Sequence, residues 1–285
     1  MAGRTKKPHV IAIGEVVYDI MPDSRKLGGA PADFLHYAVK AGAKGSLISA
    51  IGADDLGREV VAELNKFNIE PVLAVTPYPT GRVLIFKNSD GRHTAHILEN
   101  AAWDYIPYTE AAEKCVQTAD AAFFGTLALR KPYSRGTVLD LIDAVPEKAY
   151  KFFDVNLRQD YYDKELIQSL LHKANILKLN SDELKVLKPL LKLNGSAEDV
   201  CEKLKNAYGL EYLILTDASK ESRVYGKELT VVKNSGVRQA FAYGAGNAFA
   251  GTFMTSLLNG ATQQEAHDAA NQAAISVCVA NSKKI

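Results

Sequence analysis

Short apolar runs that stop at turn residues, each followed by a stretch with helical spacing of apolar positions, recur along most of this chain. That alternation restricts the possible folds more than any other feature. The runs are 9–13 (HVIAI, ending at Gly14), 44–51 (KGSLISAI), 121–124 (AAFF, ending at Gly125), 151–155 (KFFDV), 176–179 (ILKL) and 212–216 (YLILT). Such runs are too short for helices and are apolar on both faces, as a strand buried on both sides must be. The segments 32–41, 56–67, 134–144, 164–174, 197–208, 247–258 and 263–280 read as helices. Repeated βα units with right-handed crossovers pack as helix layer, sheet, helix layer. The expectation is an α/β protein with a mostly parallel central sheet, forming one domain over residues 1–285.

Two segments break the rhythm. Residues 82–98 (RVLIFKNSDGRHTAHIL) alternate apolar and polar positions around Ser-Asp-Gly, the pattern of a β-hairpin, and residues 16–21 (VVYDIM) alternate as well. Both are expected in a small β-sheet standing off the main one, where it could cover a pocket as a lid; the alternative is a plain surface hairpin. Pro77 and Pro79 mark a loop rather than a linker.

Composition adds exclusions. With 285 residues, 47% of them apolar, the chain can bury a full core, and a net charge of +1 creates no global field for nucleic acid or an anionic membrane, so neither is expected as a partner. No apolar run reaches the roughly 18 residues of a membrane span. The opening MAGRTKKPHV is basic without an apolar core and is not expected to act as a secretory signal. Cys115, Cys201 and Cys278 are isolated and lack metal-ligand spacing; they read as free thiols of a reducing cytoplasm.

Four clusters carry potential chemistry. Leu27-Gly28-Gly29-Ala30-Pro31-Ala32-Asp33-Phe34 lets a backbone approach a ligand and turns into a helix, with Asp33 in its first turn as a ligand contact or a helix cap. Gly244-Ala245-Gly246-Asn247 opens another helix, where successive backbone N–H groups and the helix dipole can bind a phosphate or a developing anion. Asn180 and Glu183 stand three apart after a strand, placed either to organise Mg²⁺ and its waters or to cap the helix. Asp154-Val155-Asn156-Leu157-Arg158 follows another strand, at the end of an open α/β sheet where ligands bind. No G-x-G-x-x-G follows the first strand, which argues against a dinucleotide-binding oxidoreductase.

Taken in order, these stretches resemble the ribokinase-like (PfkB) carbohydrate kinases. Gly14-Glu15 with Asp19, then GGAP, then IGADDLGR at 51–58 are similar to the N-terminal half of that family. Ala102-Trp103-Asp104, Gly125-Thr126-Leu127-Ala128 and DVNLR resemble its bacterial fructokinase branch, and LKLNSDEL and GAG before a helix resemble its C-terminal half. The resemblance implies a three-layer ribokinase-like sandwich with a β-lid, lids that pair into homodimers, and Mg-ATP-dependent transfer of a phosphoryl group to a sugar hydroxyl. It implies sugar contacts from Asp19, Gly28, Gly29, Asp33 and Arg158. It places nucleotide and Mg²⁺ near Asn180, Glu183, Thr216, Ala218 and Glu221, with Glu183 reaching the metal indirectly. The amides of Gly244, Ala245 and Gly246 would hold the moving phosphoryl group, next to the catalytic base.

The chain departs from the family at that base, because Asn247 stands where an Asp removes the hydroxyl proton. An amide can hold a hydroxyl but cannot take its proton. Phe241 replaces an earlier Asp of D-T-x-G-A-G-D, the T-x-G-x-x-G beside the nucleotide reads Thr216-Asp217-Ala218-Ser219-Lys220-Glu221, and Asp33 replaces a sugar-contacting Asn. Ala218 would crowd ATP and Glu221 would repel its phosphates, so weak ATP binding is expected. Two readings follow: a sugar kinase of reduced activity, or a pseudokinase that binds a sugar or a partner and transfers nothing.

Overall fold

The computed structural model describes residues 6–87, 93–217, 220–233 and 243–282. Its core is a nine-stranded sheet. In chain order the strands are β1 (His9–Ile13), β4 (Lys44–Gly52), β5 (Ile69–Thr76), β8 (Ala121–Phe124), β9 (Tyr150–Asp154), β10 (Ile176–Asn180), β11 (Tyr212–Asp217), β12 (Glu221–Tyr225) and β13 (Leu229–Lys233). Across the sheet they run β13-β12-β11-β10-β9-β8-β1-β4-β5, parallel from β11 to β5, with β12 and β13 antiparallel at one edge.

Side chains alternate across each strand, so each strand feeds two cores. Ile11, Ile13, Phe124, Phe153 and Leu177 pack under α3 (Glu110–Gln117), α4 (Pro132–Ala144), α5 (Lys164–Lys173), α6 (Ser181–Leu190) and α7 (Ala197–Ala207). Val10, Ala12, Leu47, Phe123 and Phe152 face the other way, against α1 (Ala30–Lys40), α2 (Asp55–Lys66), α8 (Ala245–Leu258) and α9 (Gln263–Ser282). Phe34 of α1 stacks on Phe123 with ring centroids 4.2 Å apart. The expected three layers are present.

A second sheet of four strands stands apart, in the order β3 (Ser24–Gly28), β2 (Val17–Met21), β6 (Gly81–Lys87), β7 (His93–Ile97). The alternating segments expected there supply β2, β6 and β7; the Ser-Asp-Gly turn lies outside the described residues. One face of this lid carries Val17, Asp19, Val83, Ile85, Ala95 and Ile97 toward a cavity, so Asp19 is a carboxylate within an apolar surface. The lid's root is a buried knot. Arg130 forms a two-pronged ion pair with Asp104 (Nε–Oδ1 2.7 Å, Nη2–Oδ2 2.8 Å), donates to the Leu98 carbonyl at 2.7 Å, and lies 4.1 Å from the Trp103 ring centre.

Candidate active site

The lid face and the carboxyl ends of β1, β9 and β10 enclose a cavity of about 440 Å³. α1 meets it at Gly29, Ala30 and Asp33, whereas Gly28, expected as a sugar contact, ends β3 and does not line the cavity. A Cβ on Gly28 would stand 2.9 Å from Asp19 Oδ2, and one on Gly29 would stand 2.6 Å from the Glu15 carbonyl oxygen, where φ is already +107°. Only glycine fits at 29, and α1 can therefore start at the cavity wall. Glu15 Oε1 accepts from the Ala30 N–H at 3.2 Å; burial pushes its carboxyl up to about 7. Asp33, in the first turn of α1, is pushed up to about 6, chiefly by burial, with Asp19 adding to the rise while Lys26 and the Asn247 amide oppose it.

α8 closes the opposite side. It starts at Ala245, with Gly244 as a left-handed cap (φ 79°) and no side-chain cap, so Asn247 lies inside its first turn rather than at its start. The first helical N–H groups lack partners within a helix. Gly244, Gly246 and Asn247 line the cavity, whereas the Ala245 side chain turns into the interior. A Cβ on Gly246 would stand 3.2 Å from Lys178 Nζ, so an ammonium sits beside these amides. The Asn247 amide donates to Asp33 Oδ2 at 3.4 Å. α1 and α8 therefore present their carboxylate and amide to each other.

The floor comes from β9 and β10. Lys178 and Asp154 pair at 2.8 Å, both almost fully buried, and Asp154 Oδ1 has no hydrogen-bond partner among the described residues. Asn180 and Glu183 form a capping box. The Asn180 side chain accepts from the N–H groups of Asp182 and Glu183, and Glu183 Oε2 accepts from the Asn180 N–H at 2.8 Å. Glu183 Oε1 accepts from the Leu157 N–H at 3.2 Å, tying the loop after β9 to α6. Burial and the nearby Asp154 raise its pKa. Arg158 borders the cavity from that loop and is exposed.

Thr216 is the register partner of Asn180 on β11. Glu221 lines a separate groove of about 320 Å³ with Ser181, Asp217 and Arg223, and it accepts from Arg223 Nε at 2.6 Å. Its charge thus has a cation beside it, which offsets the repulsion expected of it. Ala218 and Phe241 lie outside the described residues.

Three residues of the cavity escaped the sequence reading of contacts. Lys178 had a signal, a charge in the middle of an apolar buried strand, and Asp154 stood in a quoted motif without a role. Tyr243 had only its aromatic ring before a run of small residues. Its hydroxyl donates to Asp19 Oδ2 at 2.7 Å, and Lys26 lies 4.5 Å from its ring centre.

The residues present fit a phosphate-bearing nucleotide and Mg²⁺. The first N–H groups of α8 can receive an anion, with Lys178, itself paired with Asp154, beside them. Among the described residues no cluster of three or more His, Cys, Asp or Glu could cage a metal. Mg²⁺ commonly relies on phosphates, waters and one or two carboxylates instead, and the unpartnered Asp154 Oδ1 with nearby Glu183 supplies that donor set.

The chain is similar to known carbohydrate kinases in sequence and in fold. The profile described as pfkB family carbohydrate kinase matches residues 8–283. A relative from Arabidopsis thaliana named "Probable fructokinase-5" is 27% identical over 274 residues, covering 88% of this chain and 83% of its own. The structure of an uncharacterized sugar kinase from Pyrococcus horikoshii in complex with ATP superposes with a TM-score of 0.77 at 25% identity, covering 94% of this chain and 92% of that one. The fold is also that of a fructokinase from Vibrio cholerae, with a TM-score of 0.79 at 18% identity, over 98% of this chain and all (100%) of that one.

Proposed function

Because the chain belongs to the pfkB family of carbohydrate kinases, we propose that it transfers the γ-phosphoryl group of Mg-ATP to a sugar hydroxyl, with fructose as the first candidate. The observation that carries this reading is that Asp19, Gly29 and Asp33 line the same cavity as Gly244, Gly246 and Lys178, which suits a polyol on one side and a phosphate on the other. Sugar hydroxyls would be held by Asp19, Asp33 and Arg158, with the apolar lid residues Val83 and Ile97 shielding them from water. Mg²⁺, when bound, neutralises charge on the phosphates. Asp154 and Glu183 would orient its waters. Asn180 supports Glu183 through the capping box, and Thr216 borders the nucleotide from the next strand. Glu221 is proposed to stand near the nucleotide from the separate groove that it lines, while the same role proposed for Ala218 falls outside the described residues. The amides of Gly244, Ala245 and Gly246 with Lys178 would stabilise charge on the moving group, since phosphoryl transfer depends mainly on positioning and charge stabilisation.

Phe86 on the lid is 53% exposed, and pairing two lids in a homodimer would cover it. Among the described residues no helix is long and apolar enough to cross a membrane. The three cysteines are free, which suits a reducing cytoplasm.

One observation favours a second reading: Asn247, at the resemblance-implied base position, cannot accept a proton. In that reading the protein is a pseudokinase that binds sugar without transfer. A coupled ADP-release assay with Mg-ATP and a panel of hexoses and pentoses separates the two. Sugar-dependent release supports the kinase. Calorimetric sugar binding with no release for any panel member supports the pseudokinase.

A further inference from the structure

The cavity contains five carboxylates, and four already have work to do. Glu15 is buried and accepts from the Ala30 N–H that opens α1. Asp19 accepts the Tyr243 hydroxyl and lies 3.9 Å from Lys26 Nζ. Asp154 is paired with Lys178, and both Glu183 oxygens accept backbone N–H groups. Asp33 is different. Its one side-chain hydrogen bond among the described residues is the long contact at 3.4 Å from the Asn247 amide. That contact also places it at the first turn of α8, beside the N–H groups that would hold a transferring phosphoryl group.

We infer that Asp33 is the general base of this protein, acting from α1 on the hydroxyl that Asn247 orients from α8. The inference rests on the kinase reading above. In the step, the Asp33 carboxylate takes the proton of the sugar hydroxyl while that oxygen forms its bond to the γ-phosphorus of the nucleoside triphosphate. The bond from the γ-phosphorus to the β,γ-bridging oxygen breaks, and its electron pair leaves with the nucleoside diphosphate. Asp33 then returns the proton to water. Asn247 cannot take the proton, but one N–H of its amide donates to Asp33 and the other can donate to the hydroxyl oxygen, which leaves the single hydroxyl proton directed at Asp33 and keeps donor and base aligned.

The groups facing Asp33 are Lys26 and Asp19 of the lid, Asn247 of α8, Tyr243 just before α8, Glu15 of the cavity wall and Tyr37 of its own helix. Burial holds Asp33 at about 6, near the range in which a carboxylate is both ionised at neutral pH and basic enough to take a proton. The ionised form is the active one, so turnover is present above this value and falls as the pH drops through it.

The test uses the full chain with Mg-ATP and the panel sugar of highest turnover, following kcat from pH 4.5 to 8.5 and sugar Kd by calorimetry. The unmodified protein is expected to show an acid limb near pH 6. Asp33→Asn is expected to lose about 100-fold or more in kcat and to lose the limb. Asp33→Asn with Asn247→Asp, which moves the carboxylate to α8, is expected to recover at least tenfold over Asp33→Asn. If Asp33→Asn fails to fold by circular dichroism, Asp33→Glu takes its place, and it should keep an acid limb at reduced kcat. A folded Asp33→Asn that retains kcat or the limb overturns the inference and leaves the kinase reading intact, as does a folded double variant no faster than Asp33→Asn. Absence of turnover in the unmodified protein with every sugar that binds overturns both.

Discussion

Asp33 and Asn247 are 214 positions apart in the chain, yet their side chains meet at 3.4 Å. That contact changes what a simple repair would do. Asn247→Asp alone would place two partly desolvated carboxylates against each other, and such a pair holds one proton between them with pKa values that belong to the pair. At pH 7 the pair would still carry a single negative charge, as Asp33 alone does, so kcat is expected to stay within about threefold of the unmodified protein. The acid limb should move below pH 6, because the protonated partner donates a stronger hydrogen bond to the remaining carboxylate than an amide does. A pH–rate profile of the variant checks this. A tenfold rise in kcat at pH 7 would show that the unmodified protein lacks a base altogether. The substitutions at 33 and 247 were visible in the sequence, but their contact was not, because nothing local connects two helix starts so far apart.

At the scale of elements, the lid depends on a short segment that sequence patterning undervalued. Ala102-Trp103-Asp104 carried a family resemblance and no physical role. In the structure Asp104 and Arg130 are at most 1% exposed and fasten the end of β7 to the root of α4. Removing one partner of a buried ion pair leaves an uncompensated charge and typically costs about 3–5 kcal/mol. Asp104→Ala should therefore lower unfolding free energy in urea by about that amount. A loss under about 1 kcal/mol would mean that Trp103 and Leu98 hold Arg130 without its carboxylate. The elements missed in the sequence have physical reasons. β3 is mostly exposed and polar (SRKLG), so it lacks an apolar signal. β5 contains Pro71, which reads as a breaker but is tolerated at the sheet's edge. Only the first turn of α6 was marked in the sequence, by Asn180 and Glu183, and Pro189 near its end obscured the rest of the helical pattern.

For the whole molecule, the three-layer order was readable because a strand covered by helices on both sides must be mostly apolar on both faces, and six runs met that condition despite single charges such as Lys178. The lid was readable from its period of two. The cavity was only half readable. Glycine clusters and strand-end acids marked its walls, but the Lys178–Asp154 pair depends on which strands are neighbours, and the Tyr243–Asp19 bond on how the lid meets the start of α8. What the assembled molecule offers is one cavity with Asp19, Gly29 and Asp33 on one side and Gly244, Gly246 and Lys178 on the other, and the central proposal is that the two sides serve a single transfer reaction. Mass spectrometry of the sugar after incubation with the unmodified protein and Mg-ATP tests it most directly. The expected product is a sugar carrying one added phosphoryl group, formed in step with ADP and absent without the protein. A sugar that binds in the cavity yet is recovered unmodified, with ATP intact, would contradict it.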